Sequence, residues 1–203
     1  MKTKNSTSKT LQLTELAILM ALVVVLQSIS SFGVVTVCLC LVPLTLGSIV
    51  LGWKNGGILG FAFGLVALFW GIVGKDIFTM YLFQANPLMT IAICVVKGTL
   101  AGIVPGLIYK ALEKCNAIVA SVVAAISAPV VNTGIFALGC WIIKEDVIFV
   151  SSELGLTAQN FFLLLFGGLI TFNFFLELGI NTVFAPALGR LVSVLRGMHH
   201  TKK

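Results

Sequence analysis

Four polar side chains lie deep in stretches that are otherwise almost wholly apolar: Lys97, Asn132, Asn173 and Glu177. Lys97 is the only charge in the run from Asn86 to Tyr109, which is long enough to cross a bilayer. A lysine at the bilayer midplane costs at least about 2.5–3.5 kcal/mol unless it faces protein, water or a partner, so its default meaning is a functional site. The chemistry open to this set is recognition of a solute: an ammonium reads an anion, and asparagine amides fix orientation through neutral hydrogen bonds. An ion pair between Lys97 and Glu177 that only fixes packing is the competing account.

The elements that position these groups follow from composition. A hydrophobic fraction of 59% and a charged fraction of 10%, against about 25% charged residues in soluble domains, define an integral membrane protein. The 203 residues are read as a single membrane domain, with basic tails over about 1–10 and 189–203 and no further soluble domain. The apolar stretch after the basic N-terminus shows no small-residue cleavage pattern and is read as a retained first helix. Hydropathy gives six spans, Leu11 to Ser30, Val34 to Leu51, Gly57 to Gly74, Pro87 to Tyr109, Ala117 to Ile143, and Phe161 to about Leu188. The expected fold is therefore an all-α polytopic bundle of six transmembrane helices.

Charge gives the orientation. Lys2, Lys4, Lys9, Lys54, Lys110, Lys114, Arg190, Arg196, Lys202 and Lys203 all fall in tails or even-numbered loops, which places both termini in the cytoplasm. The other face carries Lys75 and Lys144 against Asp76, Glu145, Asp146 and Glu153. Lys97 is then the one basic residue without an aqueous address. Counted from the expected outer ends at 1.5 Å per residue, Lys97 lies ~15 Å deep, Asn132 ~16 Å and Asn173 ~18 Å. On the last span Asn173, Glu177 and Asn181 share one face at four-residue spacing.

Small residues recur every four positions at Ala17 and Ala21, at Gly52, Gly56, Gly60 and Gly64, and at Gly98, Gly102 and Gly106. Such series mark close helix contacts. The two glycine series are read as packing within the chain, whereas Ala17 and Ala21 on an edge helix suit either internal packing or another subunit. In the outer loop from Lys75 to Asn86, Phe78, Tyr81, Gln84 and Asn86 could close over a pocket mouth or form an interfacial aromatic belt. The five cysteines show no CxxC pair and are read as small apolar residues. No GxxxxGK[ST] or HExxH motif occurs, so ATP use would belong to a partner, and neither an enzyme nor a metal or cofactor in this chain is expected.

The order of Glu15-Leu-Ala-Ile-Leu-Met-Ala21, Val42-Pro-Leu-Thr-Leu-Gly-Ser-Ile-Val-Leu-Gly-Trp-Lys-Asn-Gly-Gly57, Gly60 to Gly64, Asn86-Pro87, Lys97-Gly98, Ala128-Pro-Val-Val-Asn-Thr-Gly134 and Asn173 to Glu177 resembles the substrate-binding (S) component of energy-coupling factor (ECF) vitamin transporters. The resemblance implies a prokaryotic plasma-membrane protein that captures a vitamin with high affinity on the outer side. It implies docking through the small residues Ala17 and Ala21 onto a membrane coupling subunit (T component) that carries two ATPases, and toppling of the chain to release the solute inward. The pantothenate-type branch is the most similar. Arginine is frequent near the Lys97 position there, and the two cations are not interchangeable at a bidentate site, which leaves other small anionic or polar solutes open. A self-sufficient secondary carrier or small channel is the alternative, with Pro129 beside Asn132 as a candidate helix break.

Overall fold

A computed structural model describes residues 3–32, 35–36, 38–155, 161–170 and 173–187. Among these, helix dominates: α1 Thr3–Ser30, α2 Leu41–Val50, α3 Trp53–Ile72, α4 Ile77–Ala85, α5 Pro87–Leu112, α6 Ala117–Ile142 and α7 Lys144–Glu153. A π-helical stretch, Leu163–Ile170, is followed by α8 over 173–187. The exception to helix is a two-residue antiparallel ladder, β1 Ser31–Phe32 with β2 Val35–Thr36, pairing Ser31 with Thr36 and Phe32 with Val35.

Among the described residues, four helices are long and apolar enough to cross a membrane: Lys9–Ile29 within α1, α3, α5 and α6. The expected second span differs. Among the described residues of Val34 to Leu51, the helix is Leu41–Val50, ten residues with about 15 Å of rise, half the hydrocarbon thickness. The reason is local: Val35 and Thr36 are β-branched and pair as β2, a preference that hydropathy alone cannot register. Both expected outer loops also carry helices, α4 and α7. The end of the sixth span at Leu188 and the tail 189–203 lie outside the described residues, as do Met1 and Lys2.

Side-chain caps set the starts of three helices. Asp76 accepts from Thr79 N at 3.1 Å to open α4. Asn86 accepts from Met89 N at 3.3 Å, with Pro87 as the first residue of α5, and Asn116 accepts from Ile118 N and Val119 N to open α6. Pro105 and Pro129 are buried inside α5 and α6, and both helices run through them without a break.

The tightest packing joins α3 to α5. A methyl group added at Gly60 would run into the carbonyl oxygen of Gly98, one at Gly102 into that of Gly56, and one at Gly64 would lie 2.5 Å from the carbonyl oxygen of Cys94. The two backbones therefore touch through Gly56, Gly60 and Gly64 on one side and Gly98 and Gly102 on the other. Ser48 of α2 caps this seam by donating to Gly102 O at 2.5 Å. Gly52 does not belong to the series: it has φ of 88° at the start of α3 and nothing within 4 Å, so it is there for the turn. One apolar cluster, including Val23, Leu41, Leu44, Leu59 and Phe63, joins α1, α2 and α3; another, including Leu82, Ile93, Cys140 and Val147, joins α4 to α7.

Replacing Gly60 by alanine is expected to lower stability by about 1–3 kcal/mol through overpacking. Thermal unfolding in detergent checks this, with Gly179→Ala as the control, since nothing lies within 4 Å of Gly179. Equal melting temperatures for the two variants would contradict the seam.

Candidate functional site

Lys97 immediately precedes Gly98, so the α3–α5 seam fixes the backbone from which its side chain departs. The side chain lines a cavity between the two apolar clusters. Six elements contribute: Gln27 of α1, Phe63 and Ala67 of α3, Phe78 and Thr79 of α4, Lys97 of α5, Asn132, Thr133 and Phe136 of α6, and Asn173 and Glu177 of α8. Cys38 and Asp76 complete the wall from between elements. The depth count thus placed Lys97, Asn132 and Asn173 at a level where the fold brings them together.

The ammonium of Lys97 lies 5.0 Å from the centroid of the Phe136 ring, which packs edge-on to Phe78 with centroids 6.1 Å apart. Among the described residues it has neither a hydrogen bond nor an ion pair. A cation over an aromatic face contributes about 0.5–2 kcal/mol, less than burying the charge costs. The ring covers the lysine without balancing it.

Both carboxylates in the cavity wall are engaged elsewhere. Asp76 accepts from Thr79 N and, at 2.7 Å, from Thr79 Oγ1. Glu177, buried, accepts from the backbone N–H of Cys38 at 3.2 Å and from Asn132 Nδ2 at 3.5 Å, the long end of hydrogen-bond range. Glu177 therefore ties the chain before α2 and the middle of α6 to α8, and it does not pair with Lys97. Asn181, one turn on, donates from Nδ2 to Glu177 O at 2.9 Å. The three-residue stripe of Asn173, Glu177 and Asn181 on α8 is a polar seam, with its first two members at the cavity.

The remaining expected mouth residues separate. Phe78 lines the cavity, but Tyr81 packs partly buried against the cluster of Phe78 and Leu82, and Gln84 is exposed on α4. Asn86 caps α5 and donates from Nδ2 to Asp146 Oδ2 at 3.0 Å, joining α5 to α7. Ala17 and Ala21 lie exposed on α1, on a face shared with Ile18, 63% exposed, and Val25, 53% exposed. Cys38, Cys40, Cys94 and Cys140 are buried and Cys115 is exposed, all as free thiols.

Several wall residues were not singled out from sequence. Gln27 had a usable signal, an amide inside the apolar first span, and Phe136 lies one helical turn from Asn132 and so on the same face. Asp76 was read only as a loop charge, because its approach to Lys97 depends on how α4 folds back.

Together these features define a helical membrane protein with a mixed polar and aromatic cavity between its helices and an apolar first helix left largely uncovered. Residues 11–189 match the family model described as ECF transporter, substrate-specific component. The chain belongs to that family, which comprises transport subunits and not enzymes, and it is a multi-pass protein of the plasma membrane. No curated protein and no solved structure matches it.

Because Lys97 has no protein counter-ion among the described residues, Lys97→Met is expected to leave the melting temperature of the solute-free protein unchanged or raised. Glu177→Leu, which strands the Cys38 N–H and the Asn132 amide, is expected to lower stability by about 1–3 kcal/mol for each stranded group. Thermal unfolding in detergent measures both, and a strongly destabilised Lys97→Met protein would show that the lysine serves the fold.

Proposed function

We propose that this chain is the high-affinity capture subunit of an ATP-driven ECF-type vitamin transporter, with pantothenate the solute favoured by the resemblance of its motifs. The observation that carries this reading is Lys97, an ammonium without a carboxylate partner in a cavity between helices. The solute's anionic group meets Lys97, while Asn132 and Asn173 orient its neutral part. Phe63, Phe78 and Phe136 supply apolar and aromatic wall for its carbon skeleton. Tyr81, Gln84 and Asn86 are outside the cavity wall and take no part in the proposed contacts with the solute.

In this reading α2 with the chain before it, and the segment 161–187 with its continuation, complete six spans around the four long apolar helices. Both termini face the cytoplasm, as the distribution of basic residues favours. Ala17 and Ala21, exposed on α1, dock onto a membrane coupling subunit (T component) that works with two ATPases, and toppling of the chain presents the solute to the cytoplasm. No cofactor acts in this chain. The self-sufficient carrier loses its structural argument, since α6 continues through Pro129 without breaking.

Purified protein is expected to bind the solute without ATP, and Lys97→Met to weaken binding by roughly 2–5 kcal/mol, the usual loss when one partner of a buried charge pair is truncated. Equilibrium dialysis against radiolabelled pantothenate tests this, and equal affinity in the two proteins would contradict the role of Lys97. Replacing Ala17 and Ala21 by leucine is expected to spare binding and stop uptake by cells that carry the coupling module; undiminished uptake would remove the docking assignment.

A further inference from the structure

We propose that the cavity admits solutes bearing a single negative charge and rejects diacids and phosphate esters, with Asp76 as the residue that sets the limit. The inference deepens the reading of the cavity as an anion site and rests on it. Among the described residues Lys97 is the one cation in the wall, which also holds two acids, Asp76 and Glu177. Lys75, the neighbour of Asp76 in the chain, is not part of the wall; its ammonium lies 3.8 Å from the centroid of the Trp70 ring. Gln27, Thr133 and the amides of Asn132 and Asn173 add hydrogen-bonding groups of both kinds but no formal charge.

The acids are held by neutral donors. Asp76 accepts from Thr79 N and Oγ1, and Glu177 from Cys38 N and Asn132 Nδ2, so among the described residues no cation pairs with either carboxylate. Both carboxylates nevertheless act on the Lys97 ammonium through space. With Glu177 ionised the wall has one net negative charge, and with Glu177 protonated it has none. In neither form does it hold a second cation. A first anionic group on the solute meets Lys97, whereas a second would be enclosed with Asp76, and like charges brought together away from bulk water repel strongly. Asp76 is the more open of the two acids, half-buried at the head of α4, where Glu177 is 3% exposed. A repulsive group set against the wrong ligand gives specificity as surely as an attractive group set for the right one.

The test is calorimetry on the full chain in detergent at neutral pH, with small acids in sets of three that separate charge from bulk. Each set places a monocarboxylate beside a form with a second anionic group and a form with an uncharged ester of similar bulk at the same position. Pantothenate, its phosphate monoester and its acetate ester make one set. The singly charged members are expected to bind, and the doubly charged member to bind at least about tenfold more weakly. Asp76→Asn, which keeps the N-cap oxygen and removes the charge, should narrow that gap, as should Asp76→Ser. A doubly charged member that binds as tightly as its parent, while binding still depends on Lys97, overturns the single-charge inference and spares the anion reading. An ester rejected along with the doubly charged member makes bulk the cause and also overturns the inference, and so does a gap that both Asp76 variants leave unchanged. Binding indifferent to Lys97→Met overturns the anion reading itself, and a panel in which no acid binds overturns both.

Discussion

The interaction on which the rest of the molecule depends is the one that Lys97 does not make within the described protein. An ammonium at this depth is tolerable only beside a counter-charge, water or an aromatic face, and the Phe136 ring supplies less than the charge demands. In the proposed function the unmet part is met by a solute's anion, and by water when the cavity is empty. Retaining such a group is disadvantageous for a purely structural element, because an apolar side chain of similar length would pack at no electrostatic cost. Its position is also held rigidly, because Gly98 is locked against Gly60 and Gly64 of α3. A larger residue in that seam would move the lysine's backbone along with α5.

The two acids of the wall show how the chamber keeps its one cation available. Glu177 does not turn to Lys97. Its carboxylate is instead occupied by the Cys38 N–H and by Asn132, while Asp76 is occupied by the start of α4. Glu177 thereby holds the loop before α2 and helix α6 to α8. The polar groups converge inside, whereas the small and apolar residues around Ala17 lie exposed on α1.

Much of this was legible in the sequence because membrane spans are simple to read. Four of the long helices follow from hydropathy, and the shared level of Lys97, Asn132 and Asn173 follows from counting residues along them. The glycine series also announced the α3–α5 contact, apart from Gly52, whose role is a positive φ. What could not be read depends on tertiary approach or on a competing local preference. The β-branched Val35 and Thr36 pair as β2 ahead of a shorter α2, and the helices α4 and α7 are too short to stand out from their loops. Asp76 reached the cavity only because α4 folds back over it, and Asn86 went to capping α5 because its neighbour Pro87 starts a helix there.

The central claim is that a solute's anion is the partner of Lys97. It is tested most directly by mass spectrometry of the small molecules that co-purify with the protein, native and Lys97→Met side by side. The account requires an acid that travels with the native chain in near-stoichiometric amount and is absent from the variant. A neutral or cationic solute, or an acid retained equally by both proteins, would contradict it.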